Sequence, residues 1–177
     1  MKTFRQSIGA NEASSYFDYT VYNADDLKAI INAGFDSKGF IIGDILRLLN
    51  PKLGTDFDPG TRTIPSNLYM INEIHVDESE RGNGLASQAL NGFLNLKSDE
   101  LIVIRTAPLK IDYPEELTEN EYDEILMKQA MFIEPFHFRQ FNSICNLEHG
   151  VPFVYINRNP IAEIIHMEAI KREYHRD

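Results

Sequence analysis

The feature that most constrains this chain is a strand, a helix and a second strand within residues 67–104. Apolar residues dominate the run 67–76, which predicts a strand buried on both faces. After the polar residues 77–83, apolar side chains recur at helical spacing over residues 85–97, and residues 101–104 form a second apolar run. Two strands joined by one helix in so short a segment predict a parallel pair with a right-handed crossover.

The remaining sequence predicts further helices and strands around the same sheet, in a single domain over residues 1–177. Helices are predicted at residues 25–35, 39–49, 121–135 and 160–174. Strands are predicted at residues 138–146 and 151–157, as a hairpin, and strand-type residues also cluster at 16–22. Loops are predicted at residues 52–66 and 111–121. The fold class is therefore α/β.

Composition narrows the function and the compartment. The chain has 17 basic and 27 acidic side chains, a formal net charge of −10, which disfavours a nucleic-acid partner and slightly favours a cationic substrate. Its single cysteine, Cys145, allows neither an intramolecular disulfide nor a Cys/His zinc cluster. Because we find no membrane-spanning apolar run and no signal peptide, we expect a cytoplasmic protein with no membrane partner. Because no Cys/His zinc cluster can be assembled, we also expect no metal.

The turn between the first strand and the helix carries the strongest chemical signal. Gly82 and Gly84 precede the helix, and glycine permits both a positive φ and the close approach of a ligand. Backbone N–H groups and the positive end of a helix dipole meet there, which favours an anion, above all a phosphate. An ordinary tight turn is the competing interpretation. The turn lacks the Gly-Lys-Ser/Thr end of a P-loop and the third glycine of a dinucleotide-binding fingerprint.

These residues resemble the acetyl-CoA signature of the GCN5-related N-acetyltransferase (GNAT) family. The segment Arg81-Gly82-Asn83-Gly84-Leu85-Ala86 fits the family's Arg/Gln-x-x-Gly-x-Gly/Ala, and Ile74-His75-Val76-Asp77 fits the strand before it. The segment Phe132-Ile133-Glu134-Pro135-Phe136-His137-Phe138-Arg139 is similar to the family's Phe-Tyr-Glu-x-x-Gly-Phe-x. The resemblance covers about residues 68–157.

The resemblance implies a single-domain acyl-CoA N-acyltransferase fold. Its sheet would be mixed, mostly antiparallel, splayed at its centre and flanked by helices. Residues 68–157 would form the acetyl-CoA-binding core, and residues 1–60 a divergent helical region on the acceptor side. Residues 160–177 would form a C-terminal helix, which either packs on the domain or makes a homodimer contact.

The resemblance also implies direct transfer of an acetyl group from acetyl-CoA to an amine. The acceptor would be a polyamine-like molecule, an antibiotic amine or a protein amino group. The CoA pyrophosphate would be held by the N–H groups of Gly82, Asn83, Gly84, Leu85 and Ala86. Arg81 is better placed to meet a phosphate than a carboxylate, and the competing interpretation is a surface ion pair with Asp77 or Glu80. The pantetheine arm would pair, like an added strand, with backbone groups of Ile74, His75 and Val76. An N–H near Val76 would polarise the acetyl carbonyl.

We select Glu73 and His75 as candidates for the catalytic base. They share one face of the strand at 67–76, and the family's bases project from the corresponding strand. For Glu73 the competing interpretation is a solvated or locally paired carboxylate, and for His75 it is a packed side chain.

Three residues depart from the family's pattern. Ile133 occupies the position of the tyrosine that usually acts as general acid, His137 that of a glycine, and Leu126 that of an asparagine near CoA. Candidates to replace the acid are Tyr113, Tyr122 and Tyr155. Because isoleucine cannot donate a proton, a second function stays open, that of a binding or regulatory module that keeps CoA binding or only the fold.

Overall fold

A computed structural model of the protein describes residues 1–10, 14–33, 67–98, 100–106, 117–141 and 153–156. Several predicted features lie outside these residues: the helices at 39–49 and 160–174, the loop at 52–66, Cys145 and Tyr113. The described part includes both strands and the helix of the predicted strand–helix–strand unit, together with the glycine-rich turn.

Among the described residues, six strands form one mixed sheet in the order β1-β2-β3-β4-β6-β5. They are β1 (Lys2–Ser7), β2 (Tyr16–Asn23), β3 (Asn67–His75), β4 (Leu101–Thr106), β5 (Arg139–Phe141) and β6 (Phe153–Ile156). The strands β3 and β4 run parallel, and every other neighbouring pair runs antiparallel. The predicted α/β class with a mostly antiparallel sheet is therefore confirmed.

Helices flank this sheet in the described part of the chain. They are α1 (Ala24–Ala33), α2 (Leu85–Leu96) and α3 (Glu119–Ile133), each within two residues of its predicted bounds. No helix among the described residues is long and apolar enough to cross a membrane. Because β3 and β4 pair in parallel on either side of α2 in the sequence, the predicted strand–helix–strand unit is present.

A hydrophobic core lies between the sheet and the helices α2 and α3. Its buried members include Phe17, Tyr69, Ile71, Leu90, Phe93, Ile102, Ile104 and Ile133. The intervening β3 residues Leu68 and Met70 are also buried. Since successive side chains of a strand point to opposite faces, β3 is buried on both faces, as the sequence predicts.

The central strands pair over their first residues and then separate. The last paired residues are Ile71 of β3 and Ile104 of β4, although β3 continues to His75 and β4 to Thr106. The sheet is therefore splayed at its centre. Beyond Ile71, the edge of β3 that faces β4 has no paired strand.

A β-bulge lies at the point where the strands separate. Along β2, Tyr19 is paired with Ile71 and the preceding residue, Asp18, is paired with Glu73. The extra residue, Asn72, has no partner in this register. A bulge bends its strand and increases the local twist. The bulge follows directly after Ile71, the last residue of β3 that pairs with β4.

The helix α3 begins earlier than predicted because a capping box fixes its start. The Thr118 hydroxyl accepts a hydrogen bond from the Glu121 N–H at 3.4 Å, and the Glu121 carboxylate accepts one from the Thr118 N–H at 2.9 Å. The hydrogen bonds from Thr118 lower the pKa of Glu121 below its usual value. These reciprocal bonds satisfy backbone N–H groups that a helix start otherwise leaves unpaired.

The end of α3 passes through a 3-10 turn, Glu134–Phe136, into His137. His137 has a φ of 59°, and it is the one non-glycine residue of the described part with a positive φ. The left-handed conformation costs a side chain about 1–2 kcal/mol and costs glycine almost nothing. Residue 137 is the position at which the sequence resemblance places a glycine.

The helical region expected over residues 1–60 requires a correction. Among its described residues, Lys2–Ser7 and Tyr16–Asn23 are strands, and only Ala24–Ala33 is helical. The second strand coincides with the cluster of strand-type residues predicted at 16–22. All six residues of β1 are exposed, so no alternation of apolar and polar residues marks this strand in the sequence. Pairing with β2, rather than burial, defines it.

Candidate functional site

The chain passes from β3 to α2 through a turn built on two glycines. Gly82 and Gly84 have φ values of 82° and 74°, in the left-handed region. A Cβ atom at Gly82 would meet no atom within 4 Å, and one at Gly84 would meet only Nε2 of Gln88, at 3.7 Å. The backbone conformation, and not crowding by the protein, therefore favours glycine here, and the space beside both residues is open.

The first turn of α2 presents unshielded backbone N–H groups. Gly84 is the N-cap, so no side chain bonds to these groups, and its carbonyl accepts the N–H of Gln88 at 2.9 Å. The initial N–H groups of a helix have no acceptor within it, and they form the positive end of its dipole. Asn83 instead stabilises the turn, since its Nδ2 donates to the Glu80 carbonyl at 3.1 Å.

A cavity of about 640 Å³, the outer cavity, lies between this turn and α3. Its α3 wall is formed by Ile125, Lys128, Gln129 and Phe132. Seven of the nine predicted cofactor-binding residues line the opposite wall: Ile74, Val76, Arg81, Gly82, Gly84, Leu85 and Ala86. The other two, His75 and Asn83, do not line it. The sequence thus identified most of one wall and none of the α3 wall.

A second cavity of about 230 Å³, the inner cavity, occupies the gap between β3 and β4. The strands contribute Ile71, Asn72, Glu73, Ile74, Ile104 and Thr106 to its lining. The two cavities share Ile74, Ala86, Gln129 and Phe132. They therefore form one groove, which runs from the start of α2 into the splayed centre of the sheet.

Charge is distributed unevenly along this groove. The outer cavity carries the cations Arg81 and Lys128 beside the positive end of the α2 dipole. Nε of Arg81 donates to the Val76 carbonyl at 3.1 Å, which holds the guanidinium against the end of β3. In a chain with a net charge of −10, this end of the groove is a local concentration of positive charge, which favours an anion.

The acidic residue of the outer cavity, Glu80, connects the turn to the N-terminal strands. Its carboxylate accepts hydrogen bonds from the Ala10 N–H at 2.8 Å and from the Ser15 hydroxyl at 2.5 Å. The fully buried Ser15 in turn accepts the Asp77 N–H at 2.9 Å. Hydrogen bonds from Ser79 lower the pKa of Asp77. Ala10 and Ser15, which lie between β1 and β2, therefore hold the turn in place through these hydrogen bonds.

Of the two residues predicted as the catalytic base, Glu73 alone lines a cavity. Its carboxylate accepts a hydrogen bond from the Tyr16 hydroxyl at 2.6 Å. His75 is buried, stacks on the Tyr16 ring at a centroid distance of 5.2 Å, and lines neither cavity of the groove. Both residues contact Tyr16, as their predicted position on one strand face requires.

Tyr16 is a component of the site that sequence reasoning missed. Its ring lies between His75 and the Arg5 guanidinium, whose Cζ is 3.8 Å from the ring centroid. Burial and the hydrogen bond to Glu73 raise the pKa of Tyr16 to about 12. Tyr16 therefore stays protonated at neutral pH and donates to the Glu73 carboxylate. Only the register between β2 and β3, which pairs Tyr16 with His75, brings it there.

The residues at the positions of the usual tyrosine and asparagine are apolar and buried. Ile133 is 3% exposed and lines the inner cavity, whereas Leu126 is 5% exposed and lines neither cavity. The candidate acid Tyr122 is half-buried and also lies outside both cavities. The side chain of Tyr155 is outside the described part of the structure.

Within the described ranges, no group of three or more His, Cys, Asp or Glu side chains is placed to hold a metal ion.

Comparison of the chain with models of protein families, with curated proteins and with solved structures found no match.

We predict that Glu80→Ala weakens the attachment of the turn to the N-terminal strands. The change removes two hydrogen bonds to a carboxylate, so the free energy of unfolding should fall by about 1–3 kcal/mol. Urea denaturation measures this loss, and hydrogen exchange should show reduced protection of the Ala10 amide. Glu78→Ala is the matched control, because Glu78 is an exposed carboxylate of the same 3-10 turn. Equal effects of the two substitutions would contradict the role of Glu80.

We also predict that Tyr16 makes stability depend on alkaline pH. Its pKa is about 12 in the folded protein against an ordinary value of 10.0. A raised pKa stabilises the fold fully below pH 10 and progressively less as the pH rises towards 12. Between pH 9 and pH 11 the wild type should lose about 1.4 kcal/mol more than Tyr16→Phe in urea denaturation. The same pH dependence in both proteins would disprove the shift.

Proposed function

We propose that this protein is an N-acetyltransferase of the GNAT type, which transfers an acetyl group from acetyl-CoA directly to an amine. The observation that carries the proposal is the groove, which joins an anion site at the start of α2 to a gap between parallel strands. The residues selected from the sequence resemblance line its anionic-ligand end, and His137 adopts the left-handed conformation at the family's glycine position.

The outer cavity suits the pyrophosphate of CoA. The backbone N–H groups of Gly84, Leu85 and Ala86 would donate to its oxygens, as helix starts do for phosphates. Arg81 and Lys128 would supply two positive charges from opposite walls. The side chain of Asn83 would act by stabilising the turn, since its Nδ2 donates to the Glu80 carbonyl.

The free edge of β3 suits the pantetheine arm. Beyond Ile71 this edge has lost β4, so its backbone groups can pair with an extended amide-containing ligand, in the manner of an added strand. Ile74 lines both cavities and Val76 the outer one, so they mark the path between the phosphates and the gap. The thioester would then lie in the inner cavity.

In the proposed reaction the acceptor amine attacks the acetyl carbonyl carbon. A carbon–nitrogen bond forms, the carbon–sulfur bond breaks, and CoA leaves as a thiolate. Glu73 accepts the proton lost by the amine, directly or through one water, while the thiolate takes a proton from solvent. The hydroxyl of Tyr16 holds Oε1 of Glu73, which leaves Oε2 to receive the proton. We assign the base to Glu73 rather than His75, because His75 lines neither cavity.

A second candidate function is a module that binds CoA without catalysis. It is favoured by Ile133, a buried hydrocarbon side chain in the inner cavity at the position of the usual acid. Both functions require CoA binding, and only the first requires turnover. A CoA thiolate is a good enough leaving group to depart with a proton from water, so we prefer the enzyme.

The proposal predicts binding of acetyl-CoA and CoA that Ser87→Trp weakens at least tenfold in calorimetric titration. Ser87 is exposed and lines the outer cavity, so an indole there would obstruct the pyrophosphate without disturbing the core. Asn91→Trp is the matched control, because Asn91 is exposed on the next turn of α2 and does not line the cavity. Absence of binding to the wild type, or equal binding by the two variants, would reject the site.

The proposal also predicts that Glu73→Gln lowers kcat/KM about 10²- to 10⁴-fold while acetyl-CoA affinity changes less than threefold. Thiol release with polyamines, amine antibiotics and lysine peptides as acceptors measures the rate, and Glu78→Gln is the control. Normal turnover by Glu73→Gln would remove Glu73 from the mechanism. Tight CoA binding without turnover of any acceptor in this panel would favour the binding module.

A further inference from the structure

We infer that the donor is an acyl-CoA with a linear acyl chain longer than acetyl, of about four to six carbons. This inference rests on the proposed function and concerns the inner cavity, where the thioester would lie. It specifies the class of acyl group that the site accepts.

The groove changes from cationic to apolar along its length. Its outer end has Arg81, Lys128 and the α2 N–H groups, which suit phosphates. Its inner end is mostly apolar. Asn72, Glu73, Thr106 and Gln129 contribute polar groups there, and the remaining wall is hydrocarbon, from Ile71, Ile74, Ala86, Ile104, Phe132 and Ile133. A ligand that matches both ends has an anionic head and an apolar tail.

The inner cavity is larger than an acetyl group requires. Its volume is about 230 Å³, whereas a water molecule, which is similar in size to a methyl group, occupies about 30 Å³ in the liquid. Space for several further methylene groups remains after the thioester and the attacking nitrogen have entered. An acetyl group would leave much of this apolar wall without contacts, which is unfavourable.

Ile133 is central to this preference. Its side chain is 3% exposed and packs in the core between the sheet and the helices, so its position in the cavity wall is fixed. A tyrosine there would bring a larger ring and a hydroxyl into the same space. The isoleucine thus replaces a proton donor with a hydrocarbon wall that an acyl chain can contact.

Calorimetric titration of the full chain with CoA, acetyl-CoA, butyryl-CoA and hexanoyl-CoA tests this inference. Each buried methylene should tighten binding about fourfold, so butyryl-CoA, with two more methylenes, should bind about fifteenfold more tightly than acetyl-CoA. If acetyl-CoA binds and the longer thioesters bind equally or more weakly, the chain-length inference is wrong and the proposed function stands. If none of the four ligands binds, the proposed function itself is overturned.

Substitutions at neighbouring residues of α3 test whether the acyl chain lies in the inner cavity. Phe132→Trp enlarges a half-buried side chain of the cavity wall and should reduce the butyryl-to-acetyl affinity ratio to threefold or less. Ile133→Phe should do the same if it folds, which circular dichroism checks. Met131→Trp is the control, because Met131 is 65% exposed and lines neither cavity. An unchanged ratio in Phe132→Trp would overturn the assignment of the acyl chain to this cavity.

Discussion

The separation of β3 from β4 is the constraint on which the rest of the site depends. Two central strands of a buried sheet normally stay paired, since each unmade backbone hydrogen bond leaves polar groups that need another partner. Here β3 has a bulge at Asn72 where its pairing with β4 ends, while β2 continues to pair with its other edge. The gap gives the groove its inner end, and it leaves the backbone of β3 available to a ligand.

The sequence was sufficient to predict the elements whose signals are local. The strand–helix–strand unit follows from apolar runs with two distinct periods, and Gly82 and Gly84 follow from the turn between them. The side of the groove formed by β3, the turn and α2 was therefore predictable. These residues are close in sequence, so their spacing already fixes most of their geometry.

The parts that depend on pairing between distant segments were not predictable. The edge strand β1 has no buried residue and no apolar period. Tyr16 reaches Glu73 only through the register of β2 on β3, and Lys128 and Phe132 reach the groove only because α3 lies across it. A single sequence contains no signal for a register or for the position of a helix against a sheet. The contact between Tyr16 and Glu73 and the α3 wall of the groove thus had to come from the structure.

The hydrogen bonds of Glu80 have a consequence for the order of folding. Ala10 and Glu80 are 70 positions apart in the chain. They follow β1 and β3, whose last residues lie at the same end of the sheet. Closing so long a loop is slow compared with forming α2 or the turn itself. The turn therefore gains its final rigidity only after the N-terminal strands have docked.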